Sequence, residues 1–128
     1  MRNKGAHKGL AAGRSGEEAA VRHLQKRGYR ILARNFRRAF AEVDIIARHN
    51  EILVFVEVKT RSSLRFGAPA EAVHPSKQRR LSKIALDYMM QEELDGQCAR
   101  FDVVSVLLDS HGMIEHIEIF ENAFDFIS

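Results

Sequence analysis

The stretch Ile52-Leu53-Val54-Phe55-Val56-Glu57-Val58-Lys59 constrains this chain most, because its β-branched and aromatic residues read as a strand and little else. Period-two alternation puts Ile52, Val54, Val56 and Val58 on one face and Leu53, Phe55, Glu57 and Lys59 on the other. A charge on an otherwise apolar strand is costly unless it is paired or binds a metal, so Glu57 and Lys59 need a reason to be there. Upstream, Glu42-Val43-Asp44-Ile45-Ile46-Ala47-Arg48 alternates in the same way. The polar His49-Asn50-Glu51 between the two runs predicts a hairpin. If Arg48 pairs with Leu53 across a four-residue loop, Asp44 falls opposite Glu57 and Glu42 opposite Lys59; a slip of one residue would separate them.

Two carboxylates roughly 4.5–5.5 Å apart at Cβ could share a Mg²⁺ or Mn²⁺ ion through oxygen ligands, with the backbone carbonyl of Val58 as a third. Lys59 would then stand beside a bound water and a phosphate, where its charge offsets the charge that builds up in phosphodiester cleavage. Taken alone, D-x12-E-x-K has many chance matches, and a solvated Glu57–Lys59 pair on an exposed sheet face accounts for it too.

The rest of the chain supplies an architecture. A helix over about Gly16–Arg27 has Ala20, Val21 and Leu24 as its apolar stripe, Gly28 as its stop and Ser15-Gly16-Glu17-Glu18 as a capping box. Tyr29–Phe36 follows as a strand, then the hairpin. A loop with Gly67 and Pro69 leads to a helix opened by Pro75 and capped by Ser76, whose Leu81, Ile84, Ala85, Tyr88 and Met89 face a sheet. Arg100–Leu108 and Met113–Phe120 are the last strands. The order αβββαββ puts the Glu57 and Arg100 strands parallel, joined by a helical crossover.

Gly13-Arg14-Ser15-Gly16-Glu17, Ala41-Glu42-Val43-Asp44-Ile45-Ile46, Phe55-Val56-Glu57-Val58-Lys59-Thr60-Arg61, Phe66-Gly67, Lys77-Gln78-Arg79-Arg80-Leu81 and Arg100-Phe101-Asp102-Val103-Val104 resemble, in order, the bacterial YraN-type family. That family is similar to archaeal Holliday-junction resolvases within the PD-(D/E)XK nuclease superfamily. The similarity runs over roughly residues 10 to 124. It implies an α/β protein with a mixed sheet, a restriction-endonuclease-like αβββαβ core carrying an additional C-terminal strand, and a Mg²⁺- or Mn²⁺-dependent endonuclease acting on DNA. It implies Asp44, Glu57 and Lys59 as the catalytic set. Resolvase-type members carry a further early carboxylate, to which Glu17 corresponds in position; a solvated acid at a helix start is the competing reading. Ala41 stands where the family has Gly, a departure that spares every proposed ligand. The same fold as a non-catalytic nucleic-acid-binding module is the alternative.

Charge is unevenly spread. Residues 1–40 hold eleven Lys or Arg against Glu17 and Glu18, net +9, and 59–83 are net +6, whereas 41–58 are net −3 and 84–128 net −9. Basic segments thus flank the acidic hairpin, the layout expected where cationic walls hold a phosphate backbone. Arg61, Arg65, Lys77 and Arg80 are the expected contacts, helical spacing putting Lys77 and Arg80 on one side. At 128 residues, one domain over 14–128 is expected, preceded by a flexible basic tail at 1–13. A lone Cys98 and the absence of an apolar stretch after Met1-Arg2-Asn3-Lys4 predict a cytoplasmic protein with no membrane association. A homodimer is one arrangement open to it. The six histidines show no paired spacing for zinc, and no phosphate-binding glycine loop or serine elbow is present.

Overall fold

The computed structural model describes residues 4–62 and 73–127, with side chains from Ser15 onward. Its elements are α1 (Lys4–Lys26), β1 (Tyr29–Arg38), β2 (Ala41–His49), β3 (Ile52–Arg61), α2 (Pro75–Gln91), β4 (Ala99–Leu108) and β5 (Ile114–Phe124). The five strands form one mixed sheet in sequence order, antiparallel except for the β3–β4 pair. This is the expected mixed α/β architecture, with β5 as the additional strand.

Each helix covers one face. Ala20, Val21 and Leu24 of α1 bury with Ile45, Ala47, Val54, Val56, Val104 and Val106. On the other face Leu81, Ile84, Ala85, Tyr88 and Met89 of α2 bury with Ile46, Leu53, Phe55, Phe101 and Val103. The period-two and period-3.6 patterns therefore meet in two cores, one on each face of the sheet. Central β3 and β4 are covered on both faces, as their near-continuous apolar runs require. Asp102 is fully buried and satisfied: it accepts from the Tyr29 hydroxyl at 2.7 Å, the Arg100 Nε at 2.9 Å and the Asn122 backbone N–H at 3.0 Å. That network ties β1, β4 and β5 together. His49, rather than being a turn residue, ends β2, stacks on Tyr29 at 4.0 Å and meets Arg100 through Nδ1.

Two helix starts differ from expectation. α1 is continuous from Lys4, so it runs through residues 4–13 and Ser15 lies inside it with no capping role. The Ser15-Gly16 pair looks like a helix start but answers a packing need. A Cβ at Gly16 would collide with Thr60 Oγ1, so glycine lets α1 approach β3 closely. Glu18, free of any cap, pairs with Arg34 at 2.9 Å. At α2 the cap is His74, not Ser76. Pro75 has no N–H to offer, so Ser76 carries the first orphan donor, and it is taken up by His74 Nδ1 at 3.1 Å.

Candidate active site

The β2–β3 register is the expected one: Arg48 pairs with Leu53, and the ladder continues to Ile45 opposite Val56. The turn is tighter than expected, since His49 pairs with Ile52 and only Asn50 and Glu51 link the strands, with Asn50 at φ 57°. Beyond Ile45 and Val56 the pairing stops while β2 stays paired with β1. The Val58 N–H lies past the end of that ladder, and it donates to Asp44 Oδ2 at 2.8 Å. This bond holds Asp44 against β3 beside Glu57. The strand ends are therefore what brings the acids together.

Glu57 is 6% exposed and lies close enough to Asp44 to perturb its carboxyl. Burial foremost, then the Glu57 charge, pushes Asp44 up to about 8, with the Val58 N–H and its bond opposing. At neutral pH the pair therefore keeps a proton. Two ammonium groups meet Glu57 from the other side: Lys59 Nζ lies 3.7 Å from Oε2, and Lys77 of α2 pairs with the same oxygen. Burial and the neighbouring Lys77 lower the Lys59 pKa. For Lys77, burial pulls down but the hydrogen bond and charge of Glu57 prevail, so its pKa is raised.

Around this group opens a cleft of about 330 Å³ lined by Phe40, Ala41, Glu42, Asp44, Glu57, Lys77, Arg80 and Leu81. Lys77 and Arg80 do share one side, as their spacing predicts. Glu42 is not set opposite Lys59, because the ladder has already ended; its carboxylate pairs with its cross-strand neighbour Arg37 at 3.0 Å. Glu17 lies 3.6 Å from Arg34, yet its charge still reaches Asp44 and helps to raise it. Among the described residues no three His, Cys, Asp or Glu side chains gather into a ready-made metal cage. What the site offers is a carboxylate pair, with Glu17 and Glu42 each tied to an arginine of β1. Arg61 ends β3, and Arg65 lies outside the described residues.

Lys77 belongs to the acid pair itself, which its place in the sequence alone does not reveal. The signal that could have found it is topological: a parallel β3–α2–β4 unit returns the first turn of its helix to the carboxyl end of β3, where ligands of open α/β sheets collect.

The donor set fits a hard divalent cation. Two carboxylates stand side by side at the wall of the cleft, Glu57 buried and Asp44 half-buried, and their mutual repulsion is relieved by a proton and an ammonium, both of which such a cation would replace. No helix among the described residues is long and apolar enough to cross a membrane.

A family model described as "Uncharacterised protein family UPF0102" matches residues 16–106, a span that holds Glu17, Asp44, Glu57, Lys59, Lys77 and Arg80. Similar chains called "UPF0102 protein" come from Syntrophus aciditrophicus, 48% identical over 116 residues, and Caldicellulosiruptor saccharolyticus, 50% identical over 113. These alignments cover 91% and 88% of this chain and 90% and 95% of the relatives. A third, from Geotalea daltonii, is 46% identical over 125 residues, 98% of either chain.

Proposed function

This chain belongs to the UPF0102, or YraN-type, family, and from the site it carries we propose that it is a divalent-metal-dependent endonuclease that hydrolyses phosphodiester bonds in DNA. The observation that carries this reading is the pairing of half-buried Asp44 with buried Glu57, with Lys59 beside them, at the point where β2 and β3 part. A carboxylate pair that must hold a proton at neutral pH is unfavourable as a purely structural feature, so its presence in an open cleft points to a ligand of positive charge.

A Mg²⁺ or Mn²⁺ ion held by Asp44, Glu57 and the Val58 carbonyl would supply Lewis-acid charge at the scissile phosphate. The chain's own residues do the rest. Asp44 gives up its proton when both carboxylates are engaged, and the Val58 N–H keeps its oxygen aimed. The Lys59 ammonium orients the attacking water and faces the negative charge that grows on phosphate oxygen as the new P–O bond forms and the old one breaks. The attacking water passes its proton to solvent water, and the departing alkoxide takes one from it, so no net proton is left over. Glu17 and Glu42 would assist after leaving Arg34 and Arg37. Arg80 lines the cleft, where it would hold the nucleic-acid backbone.

One observation favours a second reading. Lys77 already neutralises Glu57 without any metal, which suits a non-catalytic nucleic-acid-binding module. A cleavage assay over labelled duplex, flap and four-way-junction DNA with Mg²⁺ or Mn²⁺ separates the two. Cleavage that disappears in Asp44→Asn and Glu57→Gln is expected; binding without cleavage under every metal condition would favour the module.

A further inference from the structure

A guanidinium cannot shed its proton, so burying one without an acceptor is among the costlier things a chain can do. Arg100 shows the usual remedy: it meets Asp102, Glu121, Tyr29 and His49. Arg61 does not. Its Nε, Nη1 and Nη2 all lie out of contact with solvent, and none donates to any acceptor among the described residues. In one sheet, then, one enclosed arginine is saturated and another has no acceptor among the described residues.

Position and chemistry say what is missing. Arg61 ends β3, alternating with Glu57 and Lys59, and its neighbour across the parallel ladder is the apolar Leu107. A planar fork of five N–H donors with a fixed charge matches an oxoanion that offers several oxygens, and phosphate matches it bidentately. Residues two apart on a strand stand roughly 6.6 Å from each other, comparable with the step between neighbouring phosphates of a nucleic-acid strand. We infer that Arg61 is a receptor for one phosphate group, the neighbour of the phosphodiester presented to Asp44, Glu57 and Lys59. The receptor stands on Arg61 alone; only the identity of that neighbour rests on the nuclease reading.

The test uses the full chain in EDTA, with inorganic phosphate as the probe and chloride of equal ionic strength as the control. Phosphate is expected to raise the melting temperature of the wild type and of Asp44→Asn beyond the chloride effect. Arg61→Met should lose that response and, having lost an enclosed charge with no acceptor among the described residues, should melt above the wild type in phosphate-free buffer. Arg61→Lys keeps the charge without the fork, so its phosphate midpoint should rise by roughly tenfold or more. A wild type indifferent to phosphate, or an Arg61→Met variant that responds as the wild type does or melts below it without phosphate, overturns the proposal. If instead the phosphate response needs Arg61 while Asp44→Asn and Glu57→Gln leave Mn²⁺ binding unchanged, the receptor stands and the nuclease reading falls.

Discussion

Asp44 is where stability and chemistry meet. In the unfolded chain its carboxyl ionises near the ordinary 4, while in the fold burial and Glu57 hold it at about 8. Between those values the folded state binds a proton that the unfolded state lacks, so stability falls as pH rises through the window and levels off above it. Metal-free melting temperature should therefore drop between about pH 5 and about pH 8, and Asp44→Asn, whose amide still accepts from Val58 and can donate to Glu57, should flatten that drop. Parallel melting curves for the two proteins would show that the Asp44 carboxyl is not the cause. Mn²⁺ should stabilise the wild type more strongly as pH rises, an effect that Asp44→Asn and Glu57→Gln both lose in calorimetric titration. In the proposed reaction Lys59 serves a different stage. Lys59→Ala should retain Mn²⁺ binding yet cleave on the order of 10²-fold or more slowly, the scale of one preorganised charge, and a wild-type rate would reduce Lys59 to a surface cation.

At the scale of elements, what could be read from the chain was whatever local periodicity carries. Ile45, Val54 and Val56 alternate, Leu81, Ile84 and Tyr88 recur at helical spacing, and the Arg48–Leu53 register follows from a hairpin whose faces must match. What escaped depends on residues far apart in sequence. That the ladder ends at Ile45 and Val56, sending the Val58 N–H to Asp44, comes from the way β2 follows β1. That Lys77 reaches Glu57 comes from the crossover, that Ser15 caps nothing comes from a helix already running from Lys4, and that a glycine stands at 16 comes from its contact with Thr60. The last point can be tested. Gly16→Ala gains helix propensity of about 1 kcal/mol but drives a methyl into Thr60 Oγ1, an overpacking that costs typically 1–3 kcal/mol. Urea denaturation should show net destabilisation, and Thr60→Ala in the same chain should recover most of it. A Gly16→Ala protein as stable as the wild type would mean that α1 and β3 have room between them.

For the molecule as a whole, the sheet order separates charge. The β1 edge carries Arg30, Arg34, Arg37 and Arg38, while the β5 edge carries Glu115, Glu118 and Glu121, with three central strands between them. The cleft lies on the basic side, between the β1–β2 turn at Phe40 and the first turns of α2. The surroundings would thus draw a polyanion toward Asp44 and Glu57, although the acids themselves would repel it. Each phosphate contact adds about 0.9 to the slope of log affinity against log salt for duplex DNA. Lys77 is committed to Glu57, so it contributes little to that count while the pair lasts. Replacing Lys77 and Arg80 together by Ala should therefore flatten the slope by about 0.9 rather than about 1.8. Glu115→Gln with Glu118→Gln, on the far edge, should leave the slope alone. Titrating labelled DNA against these variants over a salt series decides the matter. A loss near 1.8 would mean that Lys77 leaves Glu57 for the backbone when DNA binds, and no loss would put the DNA on another face.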